Sequence, residues 1–336
     1  RWLHSGKQMT LKVFDIFSGS GGYSLGFEQA GMETVAFCEY EDYAKKVLDK
    51  HWPDIPVYDD VRSVTGAMLK DDGVEFDVIC GGFPCQDISI AGKNKGLLDG
   101  ERSGLWREFR RLIDETRPKY AVIENVSALL SRGLDIILQD LAEIGYDATW
   151  TMLDSQYFGV PQRRRRVYIL AVRDGIPEDA DIFRFVERSD ATVKQQTVHI
   201  EQSRDWNFEQ TEEGGYPFAY FTRQRSDQFG CKGVASTIMK RDYKDFTDLI
   251  LDSDGLRKLA VTERLALQGY DTNFFDGCEL TNTQSYMLNG MSIPVVKWLG
   301  EQIVHFDQSV ESGQIDTAYE KPVEVNQFSK FFDTIM

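Results

Sequence analysis

Phe76-Asp-Val-Ile-Cys80-Gly-Gly-Phe-Pro-Cys85-Gln-Asp87 is the stretch from which the rest of the chain is best approached. Its apolar start reads as a buried strand that delivers its last residues to a site. The two glycines allow close backbone approach, and Pro84 fixes the backbone just before the thiol of Cys85. A free thiol, with a reference pKa of about 8.5, becomes a good nucleophile only when that value is lowered. Taken alone, a cysteine is more often a small buried residue. The residues that accompany it along the chain decide between these readings.

To either side of that stretch, strands and helices alternate. Leu11-Lys-Val-Phe-Asp15-Ile-Phe17 reads as a strand, and Ser18-Gly-Ser-Gly-Gly22 turns it into a helix from about Tyr23. A glycine-rich strand-to-helix turn presents backbone amides and a helix N-terminus to a ligand. Its spacing fits neither the phosphate loop nor the dinucleotide fingerprint, so a plain tight turn is an equal reading of this segment alone. The next strand, Thr34-Val-Ala-Phe-Cys-Glu39, ends in a carboxylate suited to ribose hydroxyls. A helix over 42–50 and a turn at Asp59-Asp60-Val61 follow. After the cysteine strand come a polar loop over 88–103 that contains Lys93 and Lys95, read as a lid, and a helix over 105–116. Tyr120-Ala-Val-Ile-Glu124-Asn125-Val126 is another strand with an acid at its C-terminal end. A helix over 134–144 and strands over 148–153 and 166–172 complete the pattern. The implied fold is α/β, a mostly parallel, doubly wound, Rossmann-like sheet flanked by helices, with ligands at its carboxyl edge.

Four consecutive arginines in Gln162-Arg-Arg-Arg-Arg166 enter the last of these strands. Strand alternation sends Arg164 and Arg166 to one side, where they can face the site. Beyond Asp174 the regular pattern fades. Between Tyr216 and Lys244, six Lys or Arg residues, among aromatic side chains, stand against two Asp. This reads as a smaller, irregular, β-rich domain that recognises substrate. Thr262-Glu-Arg-Leu-Ala-Leu-Gln-Gly269 resumes helical order, with a threonine cap and a glycine stop. A further helix is expected within 285–305, and residues after 308 read as an acidic tail.

Composition sets limits. The 336 residues include 38 Lys and Arg against 54 Asp and Glu, a net charge of −16, the reverse of a typical nucleic-acid binder. Any polyanion site must therefore be a local basic cleft on an acidic body, weakened by salt. Apolar content is 42%, and no apolar run reaches membrane-spanning length. The five cysteines, at 38, 80, 85, 231 and 278, have no paired metal-ligand spacing. Reduced thiols, no metal, no membrane and a cytoplasmic setting are expected, with Met9 read as the native start.

Taken in order, the motifs resemble the DNA (cytosine-5) methyltransferase family. The matching pieces are Asp15-Ile-Phe-Ser-Gly-Ser-Gly-Gly22, Gly81-Gly-Phe-Pro-Cys85-Gln86, Glu124-Asn125-Val126, Gln162-x-Arg164-x-Arg166, Arg264-Leu-Ala-Leu-Gln-Gly269 and Asn289-Gly-Met-Ser-Ile-Pro294. They cover roughly 11–172 and 257–305. Leu288 stands where the family usually has glycine, and Val261 replaces a common proline; neither removes a reacting group. The resemblance implies a catalytic and S-adenosylmethionine-binding domain over 1–172 plus 257–310, a target-recognition domain over 173–256 and a tail over 311–336. It implies that Cys85 adds to carbon 6 of a flipped cytosine, Glu124 holds ring nitrogen 3 and the amino group, and Arg166 contacts the ring oxygen with Arg164 assisting. Phe17, Gly19, Gly21, Glu39, Tyr40, Asp60, Val61, Leu105 and Asn289 carry over as contacts of S-adenosylmethionine, with S-adenosylhomocysteine as its product. Lys93 and Lys95, with Arg223, Arg225, Lys240 and Arg241, are expected to bind double-stranded DNA.

A monomeric enzyme encoded by a bacterium or phage, in a restriction-modification setting, is the expected whole. A transfer-RNA cytosine methyltransferase, a non-catalytic DNA-binding relative and, at the level of fold alone, a nicotinamide oxidoreductase stand as alternatives.

Overall fold

The apolar runs spaced along the first half of the sequence become the strands of one sheet. In this computed structural model, residues 10–84, 104–173, 219–221, 231–232, 235–244, 248–252, 255–288 and 290–312 are described. Seven strands, β1 (Lys12–Ile16), β2 (Glu33–Cys38), β3 (Val57–Tyr58), β4 (Val78–Gly81), β5 (Tyr120–Val126), β6 (Tyr146–Asp154) and β7 (Arg165–Arg173), lie in the order β3-β2-β1-β4-β5-β7-β6. β1 to β5 are parallel, whereas β7 is antiparallel to both of its neighbours. The expected mostly parallel sheet is present, with one strand reversed. That reversal follows from the connection: β6 and β7 are joined by ten residues with one short 3-10 turn, Ser155–Phe158, too little for a crossover. Strand order turns about between β1 and β4, which opens a crevice at their carboxyl ends.

Helices cover both faces of the sheet. Those of the first half are α1 (Gly22–Gln29), α2 (Asp42–His51), α3 (Gly66–Asp71), α4 (Gly104–Thr116) and α5 (Leu134–Glu143). Trp106, Phe109, Leu112 and Ile113 recur at helical spacing along α4 and meet Phe14, Ile79 and Ile123 on one face. Burial on both faces explains why these strands read as almost unbroken apolar runs. The later helices are α6 (Val261–Ala266), α7 (Asn282–Met287) and α8 (Ile293–Ser312). Val296, Leu299, Ile303 and Phe306 of α8 join Tyr23 and Phe27 of α1 over Val13, Val78 and Val122 on the other face. α8 and α1 touch closely because Gly26 lies under Val296, while Gly300 lies against Phe27 and Ala30.

One local expectation is corrected. Thr262 does not cap α6, which begins one residue earlier; instead Glu263 Oε2 accepts the N–H of Ala260 at 2.6 Å. Gly269 does end that turn, at φ +85°. The helix expected within 285–305 is α8, which carries Pro294 in its first turn, where proline is tolerated; the short α7 before it is an addition. Within the span read as the recognition region, β8 (Ala219–Phe221), β9 (Cys231–Lys232), β10 (Asp248–Asp252) and β11 (Gly255–Lys258) form an antiparallel sheet in the order β11-β10-β8-β9.

Candidate active site

Alternation along β5 places Tyr120, Val122 and Glu124 on one face, and Glu124 is the last before the carboxyl edge. Its carboxylate is nearly buried and pairs with Arg166, Nε to Oε1 at 2.9 Å, with the side chains 10% and 12% exposed respectively. The N–H does not point along that line, so Oε1 carries no well-aligned hydrogen bond. The contact is an ion pair that leaves acceptor capacity on the carboxylate.

Arg166 stands opposite Val126, in the register that sets Tyr168 against Glu124. Residues 162, 164 and 166 turn inward while Arg163 and Arg165 are exposed, as alternation predicted. Arg164 is buried; burial first, then the like charge of Arg166, lowers its guanidinium to about 10, with Glu124 acting in the opposite sense. It therefore stays charged at neutral pH. The bend that delivers these arginines is organised by Asp154, at the end of β6. This buried carboxylate accepts from the N–H of Arg164 at 3.0 Å, from Gln156 Nε2 at 2.9 Å and from Arg165 Nε at 3.3 Å.

The turn after β4 is pinned to the same place. Asn125 Nδ2 donates to the carbonyl of Phe83 at 3.2 Å, and a Cβ on Gly82 would stand 2.7 Å from Glu124 Oε2. Any larger residue at 82 would have to displace that carboxylate from its present position. Cys85, Lys93 and Lys95 lie outside the described residues.

Toward the switch point of the sheet lies the turn after β1, where the cofactor contacts were expected. Phe17, Gly19 and Gly21 all have positive φ, at 56°, 56° and 76°. For Phe17 this is a strained backbone, of the kind kept at functional positions. Nothing lies within 4 Å of a Cβ built on Gly19, so the turn is open there. Glu39 Oε2 accepts from Gly19 N–H at 2.7 Å and Oε1 from Glu41 N–H at 2.8 Å. Burial raises the carboxyl of Glu39 above the usual carboxylate range, against the pull of those two N–H groups.

Beneath the turn, Asp15 Oδ2 accepts from the N–H and hydroxyl of Ser24, while the buried Oδ1 has no partner. Burial lifts Asp15 to about 7, opposed by the bonds from Ser24. Tyr40 is 68% exposed at the rim, Val61 is buried and Leu105 is half-buried beside the core. Asp60 is held in a fork by Arg62, whose side chain depresses its carboxyl. Asn289 is outside the described residues. Several acceptors around an open, strained turn fit a cationic donor that carries ribose hydroxyls and an amino group. Among the described residues, no group of three or more His, Cys, Asp or Glu side chains is placed to hold a metal ion.

The expected DNA contacts are placed in part. Lys240 Nζ lies 3.1 Å from Glu41 Oε1 and 5.8 Å from the ring centre of Tyr43, so it is engaged within the protein. Arg241 is exposed. Arg223 and Arg225 lie outside the described residues. Sequence reasoning gave no role to Asp154, Asn125 or Arg264. Arg264 is buried, pairs with Asp242 at 2.9 Å and donates to the carbonyls of Met239 and Tyr286, tying the 239–242 segment to α6 and α7. The signal in the sequence was its place at the head of the motif Arg264-Leu-Ala-Leu-Gln-Gly269, which gave it no role.

Comparison with known proteins agrees with this geometry. The family model described as C-5 cytosine-specific DNA methylase matches residues 11–216. The type II methyltransferase M2.BsuMI of Bacillus subtilis is 31% identical over 312 residues, which covers 87% of this chain and 75% of that protein. M.SsoII of Shigella sonnei is 28% identical over 316 residues, covering 87% and 80%. Among solved structures, the Entamoeba histolytica methyltransferase EhMeth has a TM-score of 0.65 at 18% identity, covering 90% of this chain and 99% of that one. The S. pombe Dnmt2 methyltransferase reaches 0.63 at 20% identity, with 89% and 98% covered. The structural neighbours share the fold; the family match, over more than half the chain and including the paired Glu124 and Arg166, goes further, and this chain belongs to the C-5 cytosine-specific DNA methylase family.

Proposed function

We propose that this protein methylates carbon 5 of a cytosine flipped out of duplex DNA, with Cys85 as the nucleophile and S-adenosylmethionine as the donor. The reading is carried by one observation: the nearly buried Glu124–Arg166 pair lies beside the pinned turn that leads into Pro84 and Cys85. Carbon 5 of cytosine is too electron-poor to be methylated directly. Addition of the Cys85 thiolate at carbon 6 turns it into an enamine carbon. Glu124 accepts from the amino group, and a proton shared between its carboxyl and ring nitrogen 3 meets the negative charge that enters the ring as the thiolate adds. Arg166 keeps that carboxylate oriented and reaches the ring oxygen, with Arg164 behind it.

Phe17, Gly19, Gly21, Glu39, Tyr40, Asp60, Val61, Leu105 and Asn289 would hold the donor, which when bound supplies an electrophilic methyl group. Loss of the carbon-5 proton to a base then restores the ring double bond and releases the thiolate. The target base is inaccessible within a helix, so extrusion must precede addition. We assign 173–256 to target recognition, with Lys93, Lys95, Arg223, Arg225 and Arg241 on DNA; Lys240 is the weakest of the set because Glu41 already holds it. A monomer acting in a cytoplasmic restriction-modification setting completes the reading.

Cys85→Ala tests it. The variant is expected to bind S-adenosylhomocysteine like the parent in calorimetry and to transfer no tritiated methyl groups to DNA. Residual transfer within tenfold of the parent would remove Cys85 from the reaction.

A further inference from the structure

Tyr270 belongs to none of the motifs given a role above. It follows the Gly269 stop, is 4% exposed, and packs among Ala44, Val47, Leu265 and Leu288. Its hydroxyl end lies between two backbones that only glycine lets approach. A Cβ on Gly22, the first residue of α1, would stand 2.5 Å from the hydroxyl oxygen, and one on Gly290 would overlap it. These backbones come from opposite ends of the chain. The first continues the turn assigned to the methyl donor, and the second adjoins Asn289.

The hydroxyl bonds to one of these sides and packs on the other. It lies 3.1 Å from Ser20 Oγ, with either hydroxyl able to donate, and it stands against the backbone of Gly290. Burial pushes the phenol up to about 12, so it keeps its proton at any working pH. Ser20 sits between Gly19 and Gly21, both at positive φ and neither with a side chain to fix it. Glu39 holds this part of the turn through the Gly19 N–H, and Ser20 is the side chain within it that is held from the far wall.

We propose that Tyr270 is a positioning residue for methyl-donor binding: its side chain, wedged between the Gly22 and Gly290 backbones and bonded to Ser20, keeps the N-terminal turn and the 290–291 segment, the two walls of the donor site, at one spacing. The inference rests on the reading of that turn as the donor site.

Tyr270→Phe and Ser20→Ala break the same bond from either side, and calorimetry with S-adenosylhomocysteine reads the result. Each variant is expected to weaken binding about fivefold, the value of one hydrogen bond, and the double variant no further. Trp52, whose ring lies against Gly21, should report the looser turn as a change in fluorescence on ligand addition. DNA affinity should stay within twofold of the parent. Binding by Tyr270→Phe within twofold of the parent, additive losses in the double variant, or an equal loss of DNA affinity would each overturn the proposal. If the parent protein itself does not bind S-adenosylhomocysteine, the donor site falls, and this inference with it.

Discussion

Asp15 shows how a single residue can be both structural anchor and liability. It holds the start of α1 through Ser24, yet it is fully buried and its folded pKa is about 7 against 3.8 for the free group. Between these values the unfolded chain has released a proton that the folded protein keeps. Stability is therefore lost as pH rises from about 4 to 7 and levels off above, by an amount on the order of a few kcal/mol. Asp15→Asn keeps an acceptor for Ser24 and removes the titration, so its stability relative to the parent should grow across that window. Urea denaturation at pH 5 and pH 8 checks this; an equal difference at both values would contradict it. Glu124, Arg164 and Arg166 were legible in the sequence because their chemistry is packed into short motifs at strand ends. Asp154, Asn125 and Tyr270 were not, since each acts through a partner that only folding brings near.

At the scale of elements, the contact between α1 and α8 matters most, because it closes the sheet face under the turn proposed to hold the methyl donor. Gly300 lies with Ala30 Cβ 2.7 Å from where its own Cβ would be, so any larger residue must force the helices apart. Gly300→Val should cost about 1–3 kcal/mol, the usual penalty for overpacking, measured as a lower urea midpoint with an unchanged slope. A stability equal to the parent's would mean that the two helices part freely. Most strands and helices were legible within a residue or two, since burial on both faces leaves long apolar runs between glycine turns. The reversal of β7 was not, because direction depends on the length of a connection and not on the strand's own pattern. The cap of α6 was missed for a different reason: Thr262 has the right chemistry, but Glu263 reaches the free N–H first.

Over the whole molecule, the net charge of −16 opposes DNA, so affinity must come from a few local cations and fall steeply with salt. Arg241, exposed, should act as one of them: Arg241→Ala is expected to lower the slope of log affinity against log salt by about one. Lys240→Ala should change that slope less, because Glu41 already neutralises it. Equal slopes for Arg241→Ala and the parent between 50 and 200 mM salt would place Arg241 away from the phosphates. Total charge hid this distribution, whereas the local excess between Tyr216 and Lys244 revealed it. The proposed reaction turns on a transient bond between Cys85 and the base. Its most direct measurement uses a duplex in which 5-fluorocytosine replaces the target cytosine, mapped beforehand by bisulfite sequencing, together with S-adenosylmethionine. The expected result is a protein–DNA conjugate that survives denaturing electrophoresis and yields a Cys85-linked peptide. Absence of any conjugate, on a site that the protein methylates when fluorine is absent, would contradict it.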